Sequence, residues 1–314
     1  MENMVNEVYA HDFDYIVDRA KALKKPVRVA LAGADAENML LGLFDAQESG
    51  FVYPILVGSQ TKVTEMLERL GLKDREYDFY PIARDTNAVQ YCIEMIIAGE
   101  ADVLMRGNTQ TRDFLLPILN KSNHFIEREL LTQIGMIKIP EYDKVLSISD
   151  ITIVVQPTPH QKALIIQNMV DAMHIFGIDN PNIAILSLVE KPSFHMKDTV
   201  EAQTLVRQHQ EEPFAHCNLV GPIPYDLIMS KEAARLKGFD CPYCGEFDGI
   251  VAPDLMTGNL LMKALNMNAR ANSLGIIVGA KVPIAITGRS DTKEQAYLSL
   301  AACAVLAQTK RYRP

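Results

Sequence analysis

Positive charge is in deficit in this chain, long apolar runs are missing, and cysteine is sparse. Against 39 aspartates and glutamates stand 31 lysines and arginines, a formal net charge of −8. With that balance and no basic stripe, the sequence carries no electrostatic footprint for nucleic acid. An anionic ligand has to be held by a few local cations and backbone amides against the overall field. No apolar run approaches the length of a membrane span, so no membrane partner is expected. The stretch Met1 to Asp14 is acidic and polar, unlike a secretory leader. Five cysteines (Cys92, Cys217, Cys241, Cys244 and Cys303) are an odd, scattered set, which fits a reducing cytoplasm better than a disulfide framework. Only Cys241 and Cys244 are closely spaced. A zinc site there needs two further ligands, and the upstream candidates, His216 and Cys217, are adjacent rather than spaced as a pair. A redox dithiol would need its first cysteine at a helix N-terminus. The role of this pair stays open at the level of sequence, and no metal is expected. None of the seven histidines sits with a serine and an aspartate in a triad motif. Tandem repeats, low-complexity tracts and flexible linkers are also missing.

What is there is alternation. At 314 residues, 48% hydrophobic and 22% charged, the chain is comfortable for two α/β lobes. Apolar residues at helical spacing over Asp12 to Lys25 are followed by the strand-like run Val27 to Gly33, a helix over Ala36 to Ser49, and the strand Tyr53 to Gly58. The same rhythm continues to the strand Ala101 to Met105, which predicts a doubly wound, mostly parallel sheet. After Lys121 the texture changes. Leu130 to Ile139, Lys144 to Ser149 and Ile151 to Gln156 read as three short strands with little room for helices between them, so antiparallel strands open a second α/β domain. Alternation then resumes, with a single helix expected over Asp226 to Lys237. The expected division is residues 1–127 with 279–314 in a first domain and 128–278 in a second, with a cleft between them as the default site.

Two turns carry the candidate chemistry. Thr287-Gly288-Arg289-Ser290-Asp291 ends an apolar run and opens an alanine-rich helix. Backbone amides, a helix N-terminus and a guanidinium together suit an anion. Arg106-Gly107-Asn108-Thr109-Gln110-Thr111 follows the strand ending at Met105. There glycine would allow close approach to a ligand, and Thr109 or Thr111 could cap the next helix, with Pro117 predicting a kink. Asp291 and Glu294 have the spacing of a capping box. A capping aspartate accepts backbone N–H groups and so has a lowered pKa, which leaves Glu294 the stronger proton acceptor of the two. Asn259, after Gly258 at a helix start, and Lys281, beside Gly279, are further candidates for ligand contact, with a capped turn and a solvated charge as the plain alternatives.

Read in order, several segments resemble the phosphate acetyltransferases and, more closely, the phosphate butyryltransferases. These are Leu104-Met105-Arg106-Gly107 with Thr111 to Leu115, Gly221-Pro222 with Asp226, Pro253-Asp254 with Gly258-Asn259, Lys263 to Leu265, Val278 to Ile284, and Arg289-Ser290-Asp291. The resemblance implies a homodimeric acyltransferase interconverting acyl-coenzyme A plus phosphate with acyl phosphate plus coenzyme A. Coenzyme A is then a substrate, and no cofactor is tightly bound. It implies Arg289 at the phosphate or oxyanion, and Arg106, Asn108, Thr109 and Thr111 on the phosphate. The serine that precedes the family's arginine is Gly288 here, leaving Thr287, Ser290 or a backbone amide to supply the donor. The aspartate that follows the arginine by six positions in the acetyl branch is Gln295 here. Leu116 and Met267 stand where that branch has arginines, which favours a longer acyl chain such as butyryl. Two alternatives stay open: a non-catalytic binder of coenzyme A or acyl phosphate, and a metal-dependent hydroxy-acid dehydrogenase of related architecture, for which Asp248 and Asp254 are the available aspartates.

Overall fold

The structure is a computed structural model that describes residues 12–82, 87–269, 271–288 and 291–309. The chain forms two compact units, the first on Asp14–Leu131 and Leu274–Pro314, the second on Thr132–Ser273.

The first unit begins with α1 (Asp14–Lys21), β1 (Val27–Ala32), α2 (Glu37–Glu48), β2 (Val52–Gly58), α3 (Gln60–Leu70), β3 (Asp78–Pro81), α4 (Ala88–Ile97), β4 (Val103–Arg106) and α5 (Thr111–Leu119). β1 and β2 are buried along almost their whole length, as strands covered on both faces must be, and they read as near-continuous apolar runs. α3 instead buries only Val63 and Leu67 and ends at Gly71 in the left-handed conformation, a standard helix stop.

The second unit holds β5 (Thr132–Lys138), β6 (Val145–Ser149), α6 (Pro159–Ile175), β7 (Asn182–Leu186), α7 (Lys197–Glu211), β8 (Asn218–Ile223), α8 (Tyr225–Met229), α9 (Lys231–Lys237), β9 (Gly249–Val251) and α10 (Leu255–Asn268). The chain then supplies the first unit with β10 (Asn272–Val278), β11 (Ile284–Ala285) and α11 (Lys293–Ala307).

In the first unit the strands run β3-β2-β1-β4-β11-β10, parallel except for the β10–β11 pair. Because β2 and β4 flank β1 on opposite sides, the winding reverses between β1 and β4. Such a switch point leaves a crevice at the strands' carboxyl ends. α11 is buried from Leu298 to Ala307 and packs against α2 and α1, which fixes the direction in which its first turn points. In the second unit the order is β5-β6-β9-β7-β8, with only β5–β6 antiparallel. The mixed α/β class expected from the alternation is therefore observed.

Two local expectations fail, each for a readable reason. No strand forms over Ile151 to Gln156. The Asp150 carboxylate accepts the amides of Thr152 (2.7 Å), Ile153 (2.6 Å) and Val154 (3.4 Å), taking the donors that a strand needs for a ladder. The antiparallel element is one hairpin, β5–β6. The helix expected over Asp226 to Lys237 is two helices, because Ser230 stays extended and its hydroxyl caps α9 by accepting from the Ala233 amide.

Candidate active site

Three parallel strands, β1, β4 and β11, end at the same edge of the first unit. Ala32 on β1 pairs with Arg106 at the end of β4, and Met105 pairs with Ala285 on β11. The residues at and after their ends are thereby brought together: Gly33 to Asp35, Arg106 to Thr109, and Thr287, Gly288 and Asp291.

Arg106 is buried at this junction. Its Nε and Nη2 donate to the Thr109 carbonyl at 3.2 and 2.7 Å, and Nη1 donates to the Thr287 carbonyl at 3.4 Å. One guanidinium thus clamps the turn after β4 to the turn after β11, using the planar fork that lysine lacks. The Gly107 amide donates to the Ala32 carbonyl, and a Cβ on Gly107 would lie 2.1 Å from the Gly33 carbonyl oxygen. The close approach expected of Gly107 is therefore to the chain's own backbone. The Asn108 amide donates to the Gly33 carbonyl at 2.8 Å, and its side chain to Asp35 at 3.2 Å.

Neither threonine of this turn caps α5. Its N-cap is Gln110, with no side-chain cap bond, and Thr111 is an exposed first helical residue. The leading amides of α5 therefore have no side-chain cap, next to Thr109, whose buried hydroxyl oxygen has no hydrogen-bond partner among the described residues. A buried hydroxyl in that state costs stability unless a ligand completes it.

The turn after β11 corrects the capping assignment. The N-cap of α11 is Thr292, whose hydroxyl accepts from the Gln295 amide while the Gln295 side chain accepts from the Thr292 amide. The box lies one residue later than Asp291 and Glu294 would put it. Asp291 is left to fold back on the turn. Its Oδ2 accepts from the Gly288 amide at 2.6 Å, and its carbonyl accepts from the Asn38 side chain at 2.9 Å. Burial pushes the Asp291 carboxyl above the ordinary carboxylate range, and the Gly288 amide and the Arg106 guanidinium offset this only in part. The lowered pKa expected of a capping aspartate is thus replaced by a raised one. Glu294 stands exposed in the first turn of α11. The Thr287 hydroxyl donates to the Met39 sulfur at 2.7 Å. Arg289 and Ser290 lie outside the described residues.

Lys281 and Asn259 each have a partner of their own. Lys281 pairs with Glu127 at 3.4 Å. Asn259 sits in the second unit, inside α10, and donates to the Ile151 carbonyl at 2.9 Å, while the cap of that helix is Asp254. Asp254 thus has a structural duty, and Asp248 lies 2.6 Å from the Lys144 ammonium, so neither aspartate is arranged for a metal. Among the described residues no group of three metal-ligating side chains occurs, and no helix is long and apolar enough to cross a membrane. Asp35 and Asn38 were missed by sequence reasoning. Asp35 had a signal in its place just past a strand-ending glycine; Asn38 had none.

A family model described as phosphate acetyl/butaryl transferase matches residues 82–305. The phosphate acetyltransferase of Thermotoga maritima is 28% identical over 292 residues, covering 93% of this chain and 98% of its own. The phosphate butyryltransferase of Clostridium acetobutylicum is 28% identical over 298 residues, covering 95% and 99%. In fold, the chain is similar to a branched-chain phosphotransacylase from Enterococcus faecalis, with a TM-score of 0.78 at 23% identity over 90% of this chain and 99% of that one. The matched segment takes in the turns after β4 and β11 and the Arg106 clamp between them, and on that match the chain belongs to the phosphate acetyl/butaryl transferase family.

Proposed function

We propose that the protein moves a short acyl group reversibly between coenzyme A and phosphate, with Asp291 as the base that takes the thiol proton. The observation that carries this reading is the Asp291 carboxyl. It is desolvated, oriented by the Gly288 amide and relieved of capping by Thr292. An ordinary thiol, with a pKa of about 8.5, is mostly protonated at neutral pH, so attack on an acyl phosphate needs a base. A carboxylate raised toward neutrality serves that purpose better than an ordinary one.

In the forward direction Asp291 removes the proton from the thiol of coenzyme A. The sulfur attacks the acyl carbonyl, a tetrahedral oxyanion forms, and its collapse breaks the bond to the phosphate oxygen. Phosphate leaves and acyl-coenzyme A remains; the reverse reaction retraces these steps, with no covalent enzyme intermediate. The leading amides of α5 and the Thr109 hydroxyl suit the phosphate, and the resemblance adds Arg289. The Gly288 amide is committed to Asp291, so in this reading the oxyanion falls to Arg289, a role typically worth roughly 3–4 kcal/mol of barrier for a good donor. Leu116, exposed on α5, favours an acyl chain longer than acetyl. The same resemblance underlies a proposed homodimer in a cytoplasmic setting; light scattering of the purified protein tests the first.

Thiol release from acyl-coenzyme A of graded chain length in the presence of phosphate tests the reaction. Asp291→Asn should lose turnover by roughly 100-fold or more, the range for loss of a general base, while Glu294→Gln keeps it. Release with no chain length, alongside calorimetric binding of coenzyme A, would leave a binding protein and sink the transferase reading.

A further inference from the structure

The pair Cys241 and Cys244 lies in the second unit, remote in sequence from the turns described above. The segment Cys241-Pro242-Tyr243-Cys244 joins α9 to β9 and is a turn closed by the Cys244 amide donating to the Cys241 carbonyl at 3.4 Å. A turn of this kind brings its first and fourth α-carbons within about 7 Å, inside the reach of a disulfide. Both cysteines are free, with no disulfide between them. Cys244 is buried among Phe247, Ile250, Leu227 and Ile228. Cys241 is only half-buried and follows the exposed end of α9. Cys241 packs on the edge of that core and is the more accessible of the two, with Cys244 enclosed behind it, which is the arrangement of an attacking and a resolving sulfur. The helix N-terminus required of a thioredoxin-like dithiol is not the feature that matters here; the turn itself supplies the proximity.

We propose that Cys241 and Cys244 form a reversible dithiol–disulfide couple that exchanges with small-molecule disulfides. The Cys241 thiolate attacks one sulfur of the incoming disulfide and expels one small thiolate, leaving Cys241 in a mixed disulfide. The Cys244 sulfur, giving its proton to that thiolate, then attacks Cys241 and expels the second small thiol. In sum, the two cysteines lose two hydrogens and two electrons, and the small disulfide gains them as two thiols. Burial and the charge of Cys241 together hold the Cys244 thiol up at about 12. The first step cancels that charge, so the resolving step meets a lower barrier than the isolated dithiol would present.

The test uses glutathione disulfide on the reduced full-length protein, followed by acid quench, alkylation and trypsin. Both cysteines fall in one tryptic peptide, Gly238 to Lys263, and the other three cysteines fall elsewhere. The expected product is that peptide unalkylated, lighter by two hydrogens, and returned to the doubly alkylated form by dithiothreitol. Cys244→Ser should instead accumulate glutathione on Cys241, and Cys241→Ser should leave Cys244 alkylated and free of glutathione. A doubly alkylated peptide from the oxidised wild type, or glutathione retained on Cys241 with Cys244 alkylated, overturns the proposal.

Discussion

The Gly288 amide donates to the Asp291 carboxylate at 2.6 Å, and a Cβ on Gly288 would lie 2.8 Å from the other oxygen of that carboxylate. The two positions are therefore coupled: the carboxyl occupies the space that a side chain at 288 would enter. The serine that the family pattern calls for cannot be restored here without moving Asp291. Gly288→Ser should lower turnover by roughly tenfold or more, because a base displaced from its proton loses much of its contribution. Thiol-release kinetics with folding checked by circular dichroism measures this. Unchanged or higher turnover would mean that a hydroxyl at 288 outweighs the carboxyl at 291.

The raised Asp291 pKa has a definite sign in both activity and stability. A base must be ionised, so the acid limb of kcat/KM should fall above the ordinary carboxylate value of 3.8 and vanish from the residual activity of Asp291→Asn. For stability, the folded chain holds this proton at pH values where the unfolded chain has lost it. Stability due to this group is therefore full below the ordinary value and is lost as pH rises through the raised one. Urea unfolding across that window should show Asp291→Asn gaining on the wild type as pH increases. A constant difference would show that Asp291 titrates normally.

Arg106 should separate stability from chemistry. Arg106→Met leaves the Thr109 and Thr287 carbonyls without their buried donor, at a cost of roughly 2–4 kcal/mol in unfolding free energy. It also removes a cation that lowers the Asp291 pKa, so the acid limb of kcat/KM should move to higher pH. Arg106→Lys, a single-point cation, should retain part of the electrostatic lowering of the Asp291 pKa and little of the clamp, so it loses stability with a smaller shift of the acid limb. A pH profile identical to wild type in both variants would contradict the electrostatic link.

Much of this was legible in the sequence, and the failures share a cause. The strand–helix alternation marked β1, β4 and the turns after them, since apolar runs stopped by glycine are a local signal. The capping register was not legible. Asp291 with Glu294 and Thr292 with Gln295 are equally good capping boxes one residue apart. The choice rests on groups outside either box: the distant Asn38 on the Asp291 carbonyl and the nearby Gly288 amide on its carboxylate. The same holds at Asp150, where a buried carboxylate that also accepts from the Gln133 amide turns an apparent strand into a loop. Composition and spacing report what a segment prefers; they do not report which of two equal preferences a remote partner selects.

That shift of register yields its own test. Thr292→Ala removes the cap of α11 without touching Asp291, so it should cost about 1 kcal/mol of stability and leave kcat within a few fold. Asp291→Asn should do the reverse. If Thr292→Ala abolishes turnover while stability is kept, the division of labour between the two residues is wrong.

Thr109 gives the sharpest contrast between a structural and a ligand-binding hydroxyl. Its side chain is buried and its hydroxyl oxygen has no partner among the described residues. Thr109→Val is nearly isosteric and removes only that group. A hydroxyl serving the fold would cost stability when lost. This one should cost none and should give a small gain, since an unsatisfied buried polar group is removed. If the hydroxyl donates to phosphate, a lost hydrogen bond to a charged group of about 1.5–3 kcal/mol should raise the phosphate KM roughly 10- to 100-fold. Urea unfolding and phosphate-dependent thiol release on the same preparation read both quantities. A stable variant with unchanged phosphate KM would move the phosphate away from Thr109 and leave the uncapped amides of α5 to hold it.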